Sequence, residues 1–104
     1  MAGPLPEHNM SYEAIADVIT KYGNRVKFIK TENNTIAVNQ LIDGRPSIST
    51  SDLTKEEYDG YEFIKVKSWD PFFRKHYYSL IRVNDIRTIV IANNENDKID
   101  AFRC

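Results

Sequence analysis

The chain has 104 residues, which is the ordinary length of one domain, and its 41% hydrophobic and 28% charged content is typical of globular proteins. The formal net charge is only -1, so no global field draws the chain to nucleic acid or to an acidic membrane surface. The longest apolar runs, such as residues 89–92, are far shorter than the ~18 residues that span a bilayer, so we expect no membrane partner.

The two ends of the sequence bear on its cellular environment. The single cysteine, Cys104, is the last residue and has no partner for an intrachain disulfide. Residues 1–9 contain neither the basic segment nor the apolar stretch of a signal peptide, so we expect a reducing, cytoplasmic environment. We interpret residues 1–9 as a disordered tail or vector remnant, and residues 10–104 as a single α+β domain. Frequent Asn, Ile and Lys favour a bacterial or phage source with an AT-rich genome.

Residues 11–22 predict an amphipathic helix. Tyr12, Ile15, Ile19 and Tyr22 recur at intervals of three and four residues, which places them on one helical face. Ser11 or Asn9 can cap the start of this helix, and the dipeptide at positions 23–24 supplies left-handed residues that commonly end one.

After the helix the hydrophobic period changes to two, which indicates β-strands. Val26 and Phe28 begin one strand, residues 32–34 form a turn, and β-type residues resume at 35–38 as the second arm of a hairpin. Residues 43–46 predict a turn. Residues 54–57 have the spacing of a capping box and predict one helical turn that Gly60 ends.

The second half of the chain predicts three more strands, at residues 61–69, 75–83 and 86–92. Residues 84–85 would form a tight hairpin between the last two. Residues 93–98 predict a polar loop, and residues 99–102 predict either a short final strand or a frayed end. This order favours an α+β fold in which the N-terminal helix precedes a mostly antiparallel five-stranded sheet or a small SH3-like or Sm-like barrel.

Residues able to carry out catalysis or hold a metal are scarce. His76 is the one near-neutral base outside the tail, and a hydrolase would need it to lie beside Ser79 and Asp70 or Asp85. The chain lacks the four Cys or His ligands of a structural zinc site, and residues 93–98 lack the ligand spacing of a calcium loop. We therefore expect no enzymatic activity, no metal and no cofactor.

The most distinctive segment is residues 69–78, where five aromatic side chains are interleaved with basic ones. Residues 61–92 contain six basic and three acidic side chains, so this stretch carries +3 while the rest of the chain carries -4. Aromatic rings and guanidinium groups together can stack bases and hold phosphates. The predicted ligand-binding residues are Trp69, Phe72, Phe73, Arg74, Lys75, His76, Tyr78, Arg82 and Asn84.

Two ranges of the chain resemble the ends of an Sm-like domain. Residues 22–30 follow an amphipathic helix as the first Sm strand does, and residues 80–86 are similar to the late Ile-Arg-Gly-x-x-Ile motif, with Val83 at the glycine position. The resemblance implies a small five-stranded barrel that assembles into rings. It also implies binding of single-stranded RNA near Arg82 and Asn84.

A second stretch is similar to LytTR-type DNA-binding domains. Phe72, Phe73, Arg74 and His76, with Ser79, Val83, Asn84 and Ile86, resemble the stretch Phe-Phe-Arg-x-His-x-Ser-x-x-Val-Asn-x-x-x-Ile of that family. The spacing after the histidine differs by about two residues from that pattern. This resemblance implies nucleic-acid contact through Arg74 and Asn84.

Three hypotheses follow. The first is a non-enzymatic module, with homo-oligomer formation left open, that holds a nucleotide or nucleic acid through the aromatic and basic residues. The alternative is a protein-interaction factor, such as a phage or bacterial inhibitor or adaptor, that docks through the same aromatic residues, because Trp, Tyr and Arg commonly anchor interfaces. A small hydrolase using His76 is the third.

Overall fold

The computed structural model describes residues 8–42, 44–91, 98–100 and 102–103. One α-helix and eleven strands appear in that part of the chain. In chain order they are β1 (His8–Asn9), α1 (Tyr12–Tyr22), β2 (Val26–Thr31), β3 (Thr35–Ala37), β4 (Leu41–Ile42), β5 (Arg45–Pro46), β6 (Ile48–Tyr58), β7 (Tyr61–Asp70), β8 (Lys75–Arg82), β9 (Ile86–Ile91), β10 (Lys98–Asp100) and β11 (Phe102–Arg103).

Helix α1 forms where the sequence predicts it. The Ser11 side chain accepts a hydrogen bond from the backbone N–H of Ala14 at 3.2 Å, which satisfies one of the free donors at the helix start. Gly23, at φ 54°, follows the last helical residue and donates its N–H to the carbonyl of Ile19. Ile15 and Ile19 are buried, so the apolar face faces the core.

A four-stranded antiparallel sheet has the strand order β10, β9, β2, β3. The predicted hairpin between β2 and β3 is confirmed, with Phe28 opposite Ala37 and Ile29 opposite Ile36. The predicted tight hairpin at residues 84–85 is wrong. Residues 83–85 form a 3-10 turn, and β9 pairs with β2 and β10 because its buried isoleucines complete the core beside the buried residues of β2.

A three-stranded antiparallel sheet has the order β6, β7, β8. The predicted helical turn at residues 54–57 is wrong, because this segment lies in strand β6 and pairs with residues 62–65 of β7. Asp59 and Gly60 join the two strands with φ values of 51° and 82°. Two positive φ values at the centre of a two-residue connection are the geometry of a tight hairpin turn, so Gly60 turns a hairpin instead of ending a helix.

One hydrophobic core lies between the helix and the two larger sheets. It contains Ile15 and Ile19 of α1 together with buried aliphatic residues of β2, β7, β8 and β9. The α+β class and the mainly antiparallel pairing are thus confirmed. The described residues form separate open sheets of two to four strands, so they form neither a single five-stranded sheet nor a closed barrel.

Two short strand pairs complete the fold. Strands β1 and β11 pair, so His8 and Asn9 lie opposite Arg103 and Phe102, and β4 pairs with β5. Of the predicted turn at residues 43–46, Gly44 lies in a turn between β4 and β5, whereas Arg45 and Pro46 form β5, and Asp43 lies outside the described residues. The predicted polar loop at 93–98 is outside them too, except for Lys98, which begins β10. No helix in the described part of the chain is both long enough and apolar enough to cross a membrane.

Asn39 connects the two larger sheets through its side chain. Its amide nitrogen donates to the carbonyl of Val26 and to the Thr50 hydroxyl, both at 2.9 Å, and its amide oxygen accepts the Thr50 N–H at 3.2 Å. Thr50 is buried, so these groups have little access to water as an alternative partner. Asn39 also has φ 59°, a left-handed conformation that asparagine tolerates better than most residues.

We expect Asn39→Ala to lower the free energy of unfolding by about 1–3 kcal/mol, because it leaves Thr50 and the Val26 carbonyl without partners. Asn39→Gly removes the same hydrogen bonds but tolerates the positive φ, so it should cost less than Asn39→Ala. Urea denaturation followed by circular dichroism measures both. Equal stability of wild type and Asn39→Ala would contradict this role.

Candidate functional site

The two faces of the three-stranded sheet differ in chemistry because residues 63–68 of β7 alternate between half-buried and buried. Ile64, Val66 and Ser68 are buried toward the core, and the residues between them point to the other side. The strand register pairs these outward residues of β7 with residues of β8 on the same side of the sheet, which we call the outer face. Its pairs are Phe63 with Arg82, Lys65 with Leu80, Lys67 with Tyr78 and Trp69 with His76.

The hairpin that joins β6 and β7 extends the outer face. Tyr58 lies opposite Tyr61, and Glu56 lies opposite Phe63. The rings of Tyr58 and Phe63 meet edge to face, with their centroids 5.8 Å apart. Glu56 forms an ion pair with Lys65 at 3.5 Å. The outer face therefore combines several aromatic rings with the basic side chains of Lys65, Lys67 and Arg82.

Basic groups stack on three rings along this face. The Arg82 guanidinium carbon lies 3.8 Å from the Tyr61 ring centre, and the Lys65 ammonium lies 4.5 Å from that of Tyr78. At the far end, the Arg45 guanidinium lies 4.3 Å from the Trp69 ring centre. Cations over aromatic faces are favourable, and these contacts hold positive charge beside each ring.

Trp69 is placed differently from what the sequence suggested. It lies on the outer face, yet only 6% of it is exposed, because Arg45 and the His76 ring cover it. Its backbone N–H donates to the carbonyl of Ser47 at 2.8 Å, which holds the β4–β5 segment beside it. Its indole N–H is buried with no hydrogen-bond partner among the described residues. Trp69 therefore supports this end of the face and offers no open ring for stacking.

His76 lies opposite Trp69 and is exposed. Its ring centre is 4.8 Å from that of Trp69. Two of the residues that a hydrolase would need have other partners: the Ser79 hydroxyl bonds to that of Ser68 at 2.8 Å, and the Asp70 carboxylate accepts two backbone N–H groups. Within the described residues, His76 forms no hydrogen bond with any of them.

The turn between β7 and β8 carries three of the predicted site residues, Phe72, Phe73 and Arg74, away from the outer face. Asp70 fixes this turn, since its Oδ1 accepts the N–H groups of Phe72 and Phe73 at 2.9 and 3.2 Å. Phe72 is 84% exposed and Phe73 66% exposed, and their rings touch edge to face. Arg74 lies in the same turn, with φ 56°. Lys75 is the first residue of β8 and pairs with Asp70, so the Lys75 side chain lies on the other side of the sheet from Trp69.

Arg82 and Asn84 lie at the other end of β8. With Tyr61, Gly60, Val83, Glu57 and Glu62 they line an open pocket of about 320 Å³. The Nε atom of Arg82 is buried and has no hydrogen-bond partner among the described residues. The predicted set is therefore divided. Its members on the outer face are Trp69, His76, Tyr78 and Arg82, and those in the turn are Phe72, Phe73 and Arg74. Lys75 lies on the other side of the sheet, and Asn84 lines this pocket together with Arg82.

The two acids of the pocket share Lys55 as an ion-pair partner. Its ammonium lies 2.8 Å from Glu62, 3.4 Å from Glu57 and 3.6 Å from Glu13 of the helix. The pKa of Lys55 is raised above its usual value, mainly by the hydrogen bond to Glu62. Arg82 thus lies in a pocket whose carboxylates already have a cationic partner.

Several outer-face residues were missed by the sequence interpretation. They are Arg45, Tyr58, Tyr61, Phe63, Lys65, Lys67 and Leu80. The period-two alternation of residues 61–69 was sufficient to place Tyr61, Lys65 and Lys67 on the side of Trp69. Arg45 gave no such signal, because its contact with Trp69 depends on how a distant segment folds back. Within the described residues, no group of three or more His, Cys, Asp or Glu side chains is arranged to hold a metal ion.

We expect Arg45→Ala to shift the fluorescence emission of Trp69, the single tryptophan, to longer wavelength, because removing the guanidinium opens the indole to water. Arg25→Ala is the matched control, since Arg25 stacks on Tyr22 instead. Emission spectra of the folded proteins measure the shift. Unchanged emission in Arg45→Ala would show that this arginine does not shield Trp69.

Comparison with protein-family models, with curated proteins and with solved structures finds no match for this chain. The resemblances to Sm-like and LytTR-type domains therefore stay predictions.

Proposed function

We propose that this protein is a non-enzymatic module that binds single-stranded nucleic acid on the outer face. The observation that carries this proposal is the alternation of partly or fully exposed rings with basic side chains on one side of β7 and β8. Sequence-tolerant single-strand binders combine aromatic stacking surfaces with a basic track for the backbone. The outer face has both components.

Tyr78 and Tyr61 are the rings best placed to stack on bases. Tyr78 is 61% exposed and Tyr61 is also exposed. Lys65 and Arg82 each lie against one of these rings. A cation on one side of a ring leaves the other side for a base, and the same cation is then close enough to meet the phosphate of the stacked nucleotide.

Lys67 is the remaining basic group of β7 on this face. It lies opposite Tyr78 across the strand pair and is partly exposed. Glu56 is an acid on the β6 part of this face, and it already pairs with Lys65. The outer face is therefore locally positive although the whole chain carries -1. Attraction of a nucleic-acid backbone would come from these local charges and not from the net charge of the chain.

We expect Tyr78→Ala to weaken binding of a fluorescein-labelled oligo-dT or oligo-U strand by roughly 5- to 150-fold, which corresponds to the loss of one stacked base. Tyr77→Ala is the matched control, because Tyr77 is the neighbouring exposed tyrosine of β8 but lies on the opposite side of the sheet. Fluorescence anisotropy titrations at low and moderate salt measure both. Equal losses in the two variants would contradict a role for the outer face.

Salt dependence gives a second readout from the same titrations. Affinity should fall as salt rises, and Lys67→Ala should reduce the slope of log affinity against log salt by about one. Lys30→Ala, on β2 of the other large sheet, should leave the slope unchanged. Failure of wild type to bind either oligonucleotide at low salt would overturn the proposal.

One observation favours a second function, docking onto a partner protein through the β7–β8 turn. Phe72 and Phe73 are the most exposed phenylalanines of the described chain and contact each other, and apolar side chains exposed together commonly mark contact sites. This turn is separate from the outer face. The double variant Phe72→Ser, Phe73→Ser therefore distinguishes the two functions: it should abolish docking to a protein and leave oligonucleotide affinity unchanged.

A further inference from the structure

Strand β8 is an edge strand of the three-stranded sheet. It pairs with β7 on one side, and no backbone hydrogen bond from a described residue reaches its other side. Eight residues from Lys75 to Arg82 thus present a row of backbone donors and acceptors to solvent. Such an edge is a template for another strand.

The opposite edge of the same sheet is protected in ways that β8 is not. Strand β6 contains a register shift between Ser49 and Thr54, and its sequence includes Asp52, Lys55 and two glutamates. Irregular pairing and charged side chains are the usual means of preventing edge-to-edge association. Strand β8 pairs with β7 without a register shift, and residues 77–81 contain no charge and no proline.

The exposed side chains of β8 are also unusually apolar for an edge. Tyr77 is 50% exposed on one side of the sheet, and Leu80 is 46% exposed on the other. Tyr78, beside Leu80 on the outer face, is more exposed still. A strand that leaves these groups in water gains hydrophobic contact on both sides when a second strand is added.

We propose that β8 pairs antiparallel with β8 of a second copy of this chain, around a two-fold axis at Ser79. The axis is perpendicular to the sheet, so residues on the outer face of one copy meet outer-face residues of the other. In this register Tyr78 lies opposite Leu80 on the outer face, and Tyr77 lies opposite Ile81 on the inner side. Each pair occurs twice, which gives four apolar cross-strand contacts.

The side-chain pairs favour this axis over its neighbour. An axis at Tyr78 would set Lys75 opposite Ile81 and Tyr77 opposite Ser79, so both of these apolar side chains would face polar ones. Pairing at Ser79 joins the two sheets into one of six strands, and the outer faces of the copies become continuous.

Sedimentation velocity across a range of protein concentrations tests the dimer directly. Wild type should show a concentration-dependent increase in mass, and Leu80→Asp should weaken the dimer by about tenfold or more, because it replaces two apolar cross-strand pairs. Leu41→Asp is the matched control, since Leu41 of β4 is 69% exposed and lies away from β8. Circular dichroism confirms that each variant is folded.

A cysteine placed on the axis tests the register without disturbing the apolar pairs. In a Cys104→Ser background, Ser79→Cys should form an intermolecular disulfide on mild oxidation, because directly opposite residues of antiparallel strands have Cα atoms about 4.5–5.5 Å apart. Tyr77→Cys should not, because the two copies of position 77 are offset along the strands. These readouts are mass and crosslinking, so they are independent of nucleic-acid binding.

The expected results are a dimer weakened by Leu80→Asp alone and a crosslink at position 79 alone. A wild-type chain that stays monomeric at its highest soluble concentration would overturn the proposal. So would a dimer that Leu80→Asp and Leu41→Asp affect equally, or a crosslink at position 77 in place of 79.

Discussion

The alternation of β7 against the core is the constraint on which the rest of the arrangement depends. Ile64 and Val66 are fully buried beneath the helix, and a slip of one residue would expose both while burying Lys65 and Lys67. The hydrogen bond between Ser68 and Ser79 adds a polar contact that is satisfied only in this register. Core packing on one side of the strand thereby fixes which side chains are presented on the other.

The chemistry of the outer face follows from this constraint. Because β7 is the middle strand, both neighbours align with its outward side chains: Tyr78 of β8 lies beside its lysines, and Tyr58 of β6 lies beside its Phe63. Arg82 on Tyr61 and Lys65 on Tyr78 are therefore contacts between strands and not within one segment. A binding surface of this kind is as rigid as the sheet that carries it, which reduces the entropy lost when a ligand is held.

The sequence predicted the elements whose signals are local. The spacing of Tyr12, Ile15 and Ile19 predicts the helix, and Ser11 and Gly23 mark its two ends. It failed at residues 54–57, where a capping-box pattern competes with pairing to residues of β7 that a local pattern does not reveal. It failed again after Asn84, because β9 finds its partner in β2, more than fifty residues earlier in the chain.

The candidate site, too, was predictable only where its signals are local. Tyr78 and Arg82 do lie on a shared face, since strand periodicity is enough to place them there. Trp69 looks identical in sequence whether it is exposed or covered, and the cover comes from Arg45 of a separate short strand pair. The phenylalanines of the turn were grouped with Tyr78 by their closeness in sequence, but the turn carries them off the sheet.

Lysine acetylation footprinting with and without a bound oligonucleotide tests the central claim most directly, because it maps contact along the native chain without any substitution. Lys65 and Lys67 lie on the outer face, whereas Lys27 and Lys30 lie on β2 of the other large sheet. We expect a saturating single strand to slow acetylation of Lys65 and Lys67 and to leave Lys27 and Lys30 unchanged, as read by mass spectrometry of the digested protein. Protection of Lys27 and Lys30 instead, or equal rates at all four lysines in the saturated complex, would contradict the central claim.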